Sequence, residues 1–484
     1  MSMGALGVNA GVVMVRSPGA ERWPMSMIYG TASLLGLLLL ALVEPHPLFT
    51  VLATLAYGVV VGNLMWRLRG ASALIAPIAL LHVAVLVSLA AIESGASMKE
   101  LGMFGEPSAG GVAFAVIGVV FVLAATVATR AAISRWPSPP PGQVVRLSGP
   151  MAYLSVTIVG VLVVYLFLRG AVTGFPLLSG ADRFAYRAAA DVIVINVLTL
   201  KYVIAGFMGA GAALAAERRC RFAHQAVFVA YLAVTFLFAD KFFNILIAAI
   251  IFSAPAFMLG VHSGGRALLR LLPGAVLAVA SVLAVTVYIY SGGGVLSAAQ
   301  TAERLLGRAA GQGQLWHVAV REHGDWLRFD AQEASKTLGS LTANPAATYA
   351  LRERMGPFYF IEKHAPSAMH RSFFANSGWV TPTMVSEAYA LVMFGHLGLL
   401  VIVVAMGAVL GGLIGFFRWR LLSGNPFMVL LPAAMLTQFI YGYAQGTLYS
   451  LIGLSTLKIY AAFFVVGWFS HLWLKRHAQS TGAP

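Results

Sequence analysis

The sequence predicts an all-α polytopic membrane protein of about twelve transmembrane helices, with a long helical loop between the ninth and tenth spans on the non-cytoplasmic side. Three observations predict it. Apolar residues make up 59% of the 484 and charged residues only 10%, against roughly a quarter charged in ordinary soluble domains. A mean hydropathy of +0.83 is more than one soluble core could hide, because surface-to-volume scaling leaves too much area for so few charges to cover. Apolar runs near the ~20 residues that cross a bilayer also recur along most of the chain. Soluble enzyme, fibrous and disordered classes are thereby excluded, and the single cysteine, Cys220, rules out an internal disulfide.

Residues 1–25 read as a cytoplasmic leader, because they lack the long apolar core and small-residue cleavage site of a signal peptide. Residues 26–291 hold nine spans, at about 26–43, 47–66, 71–92, 112–129, 151–168, 191–216, 222–239, 242–260 and 271–290. Near Phe238-Ala239-Asp240-Lys241-Phe242 an apolar run of nearly forty residues has to be split, since no bilayer accommodates a helix of that length. A short outside turn is expected there. Residues 389–473 hold the last three spans, at 389–416, 426–445 and 451–473, and 474–484 form a cytoplasmic tail. Pro137, Pro139, Pro140 and Pro141 mark a stiff cytoplasmic link.

Charge sets the orientation. Alternate loops place sixteen Lys and Arg on one side and five in the short loops of the other, so the positive-inside bias puts both termini in the cytoplasm. The net charge of +15 therefore mostly reports topology, and nucleic acid is rejected as a partner. Lys201, ten residues into its span, is expensive in hydrocarbon and has to face a polar cavity or a partner. Lys458 can snorkel, and His82 reads as a hydrogen-bonded core residue.

Polar chemistry concentrates in 292–388, which holds eight of the seventeen carboxylates and four of the eleven histidines. Its apolar and aromatic content, including Leu315, Trp316, Trp326, Phe358, Tyr359 and Phe360, favours a folded cap, with amphipathic helices at 296–322 and 333–356. Arg169, Arg183 and Arg187 share one outer loop. Their retention on a side usually drained of cations asks for an anionic ligand, and guanidinium forks suit phosphate oxygens; headgroup contact at the membrane rim is the plainer alternative. His370-Arg371 form a candidate phosphate or sugar clamp. Glu387, at a span entrance, is a candidate proton acceptor, with favourable placement at a helix N-terminus as the plain alternative. His317 and His323 are six apart and suit a metal poorly. No phosphate loop, CxxC, HExxH or GxSxG elbow is present. A twelve-span carrier of the repeated type is expected to show related halves, whereas here the polar mass lies in one external loop.

This pattern resembles the O-antigen polymerase (Wzy-type) family of repeat-unit polymerases, related to O-antigen ligases. The likeness rests on the span layout, the late long loop, the stretch Gly174-Phe175-Pro176-Leu177-Leu178-Ser179-Gly180 followed by Arg183 and Arg187, and the Glu387 to Gly398 segment. Two Arg-x10-Gly matches, Arg169 to Gly180 and Arg328 to Gly339, fit a spacing described for some members. The resemblance implies a GT-C-like fold in a bacterial inner membrane with a periplasmic active site. It also implies a reaction: a glycan on undecaprenyl diphosphate is transferred to a new lipid-linked repeat unit, and undecaprenyl diphosphate is released. Arg169, Arg183 and Arg187 with Arg321, Arg328 or Arg371 would hold diphosphate, and Glu387 or His370 would take the proton. No cofactor is expected, nor a metal where arginine supplies the charge. The partners are lipid-linked glycans and membrane lipids, with a chain-length regulator as a candidate. O-antigen ligation and flipping of a lipid-linked glycan are the alternatives.

Overall fold

The structure, a computed structural model, describes residues 25–136, 147, 150–179, 186, 189–240, 242–259, 287, 296–342, 356–375 and 385–480. The stiff link at 137–141, most of the ninth expected span, Arg183 and Arg187 lie outside the described residues.

The described chain is all-helical apart from a two-stranded hairpin, Ser97–Met98 with Met103–Phe104. Among the described residues eight helices are long and apolar enough to cross a membrane. They include Met25–Val43, Pro47–Leu68, Ala76–Glu93, Gly110–Arg135, Arg218–Leu237 and Ser386–Leu421. Each answers to an apolar run read from the sequence. A polytopic membrane protein is the plain meaning of that set.

Two expected spans are built differently from simple rods. The run 191–216 folds as Val192–Thr199 and Lys201–Leu214, bent by 62°. Asp191 caps the first piece through its side chain, accepting from the amides of Ile193 and Val194 at 3.0 and 2.9 Å. Every residue of the second piece is buried, which makes it a central strut. Phe242–Met258 is only 17 residues long and carries Pro255 inside it, which removes one backbone hydrogen bond and bends the rod. Leu454–Ser480 forms the last helix.

Lys201 has the partner that burial demands. Its ammonium pairs with Asp240, and Asp240 also accepts from Asn244 at 3.0 Å. Asp240 sits in the turn expected between two spans, where Ala239 takes a left-handed φ of 56°.

The 36-residue helix Ser386–Leu421 would be about 54 Å long if straight, far beyond a hydrocarbon core of ~30 Å. It is broken at Gly395, whose φ of 67° and ψ of −173° are not helical. Beyond the break the helix runs parallel to Gly110–Arg135. Gly407 faces the Phe121 carbonyl, Gly411 the Ala125 carbonyl and Gly415 the Ala132 side chain. Small residues every fourth position let two backbones meet where hydrocarbon offers no hydrophobic drive for association.

Candidate functional site

The long loop is woven into the bundle, not appended to it. Three of its helices are Ala298–Ala310, Gln314–Glu322 and Ala331–Thr342. The first two match the amphipathic segment expected at 296–322; the third begins where 333–356 was expected, and 343–355 lie outside the described residues. Ser88, on the Ala76–Glu93 helix, donates to the Ala310 carbonyl at 2.8 Å and accepts from the Gly313 amide at 2.7 Å. The Trp316 indole donates to the Gly110 carbonyl at 2.8 Å and packs on Phe114. The stretch Asp325–Asp330 closes the Gly395 break. Asp325 and Trp326 carbonyls accept from the amides of His396 and Leu397 at 3.2 and 3.1 Å, and the Asp330 amide donates to Met393 at 2.9 Å. These bonds satisfy groups that a broken helix would otherwise leave orphaned in an apolar setting.

Beneath this cap lies Glu387, fully buried. Its Oε1 accepts from the Tyr443 hydroxyl and lies 3.7 Å from His82 Nε2. Its Oε2 has no protein partner. His82 Nε2 also meets the Tyr443 hydroxyl, and its Nδ1 meets the Tyr57 hydroxyl at 2.8 Å. Phe114 and Phe121 stand edge-on to the imidazole, each 5.5 Å away.

The depth of this cluster follows from helix geometry. His82 lies eleven residues from the Glu93 end of its helix, roughly 16 Å below it at 1.5 Å per residue. The parallel pairing of Gly407 with Phe121 places Gly395 near the start of the Gly110 helix. Glu387, eight residues earlier, nevertheless touches His82. The piece Ser386–Phe394 is therefore re-entrant, rising from mid-depth to the break, with Glu387 in its first turn, where a helix N-terminus favours a carboxylate. The sequence reading put Glu387 at a span entrance, partly desolvated; the structure puts it deeper, against His82 and Tyr443 of two spans.

A second buried carboxylate, Glu93, sits nearer the loop side. It accepts from Thr50 at 2.5 Å, from Ser108 at 2.9 Å and from the Gly111 amide at 2.9 Å. His317 Nδ1 is 3.5 Å from Ser108 Oγ. Burial, with Arg321 beside it, holds the His317 imidazole neutral by pushing its pKa down to about 4.

The sequence-predicted cations divide into groups. Arg169 is bonded through Nε to Asp191 at 2.9 Å, on the side of the molecule built from Pro150–Thr173 and the bent pair. Arg321 and Arg328 both belong to the insert: Arg321 pairs with Glu106 at 2.8 Å, while Arg328 meets His323 at 2.8 Å and Asp330 at 3.5 Å. Lys363 and His364 converge on Glu322, at 3.2 and 3.1 Å. Burial lowers the pKa of both His323 and His364, and the neighbouring Arg328 and Lys363 depress His323 further. Arg321, Arg328 and Lys363 are thus each paired with a carboxylate and interleaved with imidazoles. His370 is half-buried and Arg371 exposed, on Ser367–Ala375. Among the described residues no group of three His, Cys, Asp or Glu side chains is placed to hold a metal.

Sequence reasoning missed Tyr57, Tyr443, Glu93 and Lys363; it read His82 as a hydrogen-bonded core residue, and the structure has it buried and bonded to both of these tyrosines. Each of the first three sits in an apolar run where a single polar side chain carries little signal. A model of a family of unknown function (DUF6418) matches residues 352–460, a segment that contains Glu387, Gly395 and Tyr443. No curated protein and no solved structure matches the chain.

Proposed function

We propose that this chain is a metal-independent glycosyltransferase of the bacterial inner membrane. It would polymerise undecaprenyl-diphosphate-linked oligosaccharide repeat units at the periplasmic face, with both termini in the cytoplasm. The observation that carries the reading is the buried Glu387 carboxylate, one oxygen without a protein partner, in a chain whose insert carries Arg321 and Arg328, paired with Glu106 and Asp330. A transfer of this kind needs a base for the acceptor hydroxyl and cations for the departing diphosphate. Glu387 Oε2 takes the acceptor proton; the acceptor oxygen bonds to the anomeric carbon as the bond from that carbon to the diphosphate oxygen breaks. Arg321, Arg328 and Lys363 neutralise the leaving group. His370 and Arg371 contact sugar at the rim, and Arg169, Arg183 and Arg187 contact the donor's second phosphate or the headgroup layer. Because Glu387 is sealed from water, the acceptor enters only when the insert and the Ser386–Phe394 piece move apart about Gly395.

The test is chain growth by purified protein in detergent, given lipid-linked repeat units as donor and acceptor. The wild type lengthens the glycan; Glu387→Gln lowers the rate by about 10²–10⁴-fold, the usual worth of a positioned base, and Arg321→Ala with Arg328→Ala slows it as well. Undiminished growth in Glu387→Gln refutes the assignment.

A second reading, carriage of a lipid-linked glycan across the membrane, is favoured by the 62° broken pair and the re-entrant piece, since discontinuous helices near the midplane are the mark of carriers. Detergent separates the two, because a flippase leaves both substrates unchanged there. Transfer of glycan to added lipid A core would instead indicate a ligase.

A further inference from the structure

We propose that Glu387 and His82 share one proton through the Tyr443 hydroxyl, which makes His82 the second proton-holding group of the site. The pair itself rests on geometry alone; its part in catalysis rests on the glycosyltransferase reading.

Four hydrogen-bonding groups form an unbroken line: Tyr57, His82, Tyr443 and Glu387. Tyr443 has one proton to give. When it donates to Glu387 Oε1, its oxygen accepts from His82 Nε2–H. If His82 is then also protonated at Nδ1, that N–H donates to Tyr57. This arrangement is a carboxylate and an imidazolium 3.7 Å apart. In the alternative, Glu387 carries the proton and donates to Tyr443, Tyr443 donates to His82 Nε2, and His82 is neutral. The two states differ only by concerted shifts along bonds already present, and both have zero net charge.

Neutrality is what the surroundings require. Tyr57 comes from the Pro47–Leu68 helix and Tyr443 from Leu430–Gln445, while Gly110–Arg135 offers the rings of Phe114 and Phe121. Trp316 of the insert packs on Phe114, and Glu333 is held apart, bonded to Tyr389 and Lys336. None of these contributes a cation to Glu387. An isolated carboxylate at this depth would carry a desolvation penalty of several kcal/mol, whereas a pair holding one proton between them carries no net charge. Glu387 Oε2, buried and without a protein partner, is then the position at which a hydroxyl delivers a further proton. During transfer the acceptor O–H gives its proton to that oxygen, and the cluster, one proton richer, returns it to water as product leaves.

The experiment uses the full chain in detergent with dicyclohexylcarbodiimide, which modifies protonated carboxyls in apolar surroundings, and reads modification of the Glu387 peptide by mass spectrometry. With His82 present the proton is shared with the imidazole and the carboxyl labels slowly. His82→Gln leaves the proton nowhere but Glu387, and labelling rises about tenfold or more. Equal labelling of the wild type and His82→Gln overturns the proposal. A second measurement covers a His82→Gln chain that fails to fold: nitrogen-15 spectra of histidine-labelled wild type. His82 ring-nitrogen signals that shift between the wild type and Glu387→Gln at neutral pH support the pair, and identical ring signals in both overturn it. Neither readout involves a glycan, so failure here leaves chain growth to be judged separately, and absent chain growth leaves the pair standing.

Discussion

Gly395→Ala is the perturbation that bears most directly on how the cap is held. The native backbone at this position, φ 67° and ψ −173°, lies in a region that only glycine occupies without strain, and an alanine forced into it costs about 1–3 kcal/mol. The methyl group would also lie 2.7 Å from the Asp325 carbonyl and 3.0 Å from the Arg328 amide, so the docked loop has to give way. Against this stand the three backbone hydrogen bonds that close the break, each worth about 1 kcal/mol net. Strain and docking are comparable, and the loop of the variant spends much of its time undocked. Hydrogen exchange followed by mass spectrometry should show the amides of His396, Leu397 and Asp330 exchanging about 10–100-fold faster, which is roughly 1.4–2.8 kcal/mol of lost local stability. Wild-type exchange at all three amides in a folded Gly395→Ala chain would refute the docking argument.

Other perturbations follow from the same geometry. Lys201→Met leaves Asp240 buried without its cation and should lower stability by about 3–5 kcal/mol, while Lys201→Met combined with Asp240→Leu should recover most of the loss; thermal unfolding in detergent distinguishes them. Gly411→Leu cannot fit against the Ala125 carbonyl and should separate the two parallel helices, seen as loss of monodisperse protein on size-exclusion chromatography. His317, neutral in the fold with a pKa of about 4 against 6.5 for the free side chain, makes the unfolded insert the stronger proton binder between those values. Its contribution is therefore intact above pH 6.5 and is lost as pH falls through 4, by up to about 3 kcal/mol. Exchange of the Gln314–Glu322 amides should accelerate over that range, and His317→Gln should weaken the acid dependence, leaving the part that His323 and His364 contribute.

The spans were legible because a bilayer imposes a length, and apolar runs of that length read directly as helices. Lys201 was legible for a related reason: a charge in hydrocarbon demands a partner, and Asp240 supplies it. The breaks were not. Gly395 is one glycine among fifty, and nothing local distinguishes a residue whose φ is positive from one packed in a groove, as Gly407 and Gly411 are. The bend after Thr199 has neither glycine nor proline at it and is set by the packing of Lys201–Leu214 among its neighbours. Glu387 was singled out, but Tyr443 lies 56 residues away and His82 and Tyr57 are far more distant in the chain, all in helices whose sequences otherwise read as core. Their convergence belongs to the tertiary structure alone.

The most direct test of the central claim is a structure of the chain in a lipid nanodisc with an undecaprenyl-diphosphate-linked repeat unit bound. The account predicts a sugar hydroxyl within about 3.2 Å of Glu387 Oε2, with diphosphate oxygens on Arg321 and Arg328. A glycan held at some other carboxylate, with Glu387 still sealed against His82 and Tyr443, would contradict it.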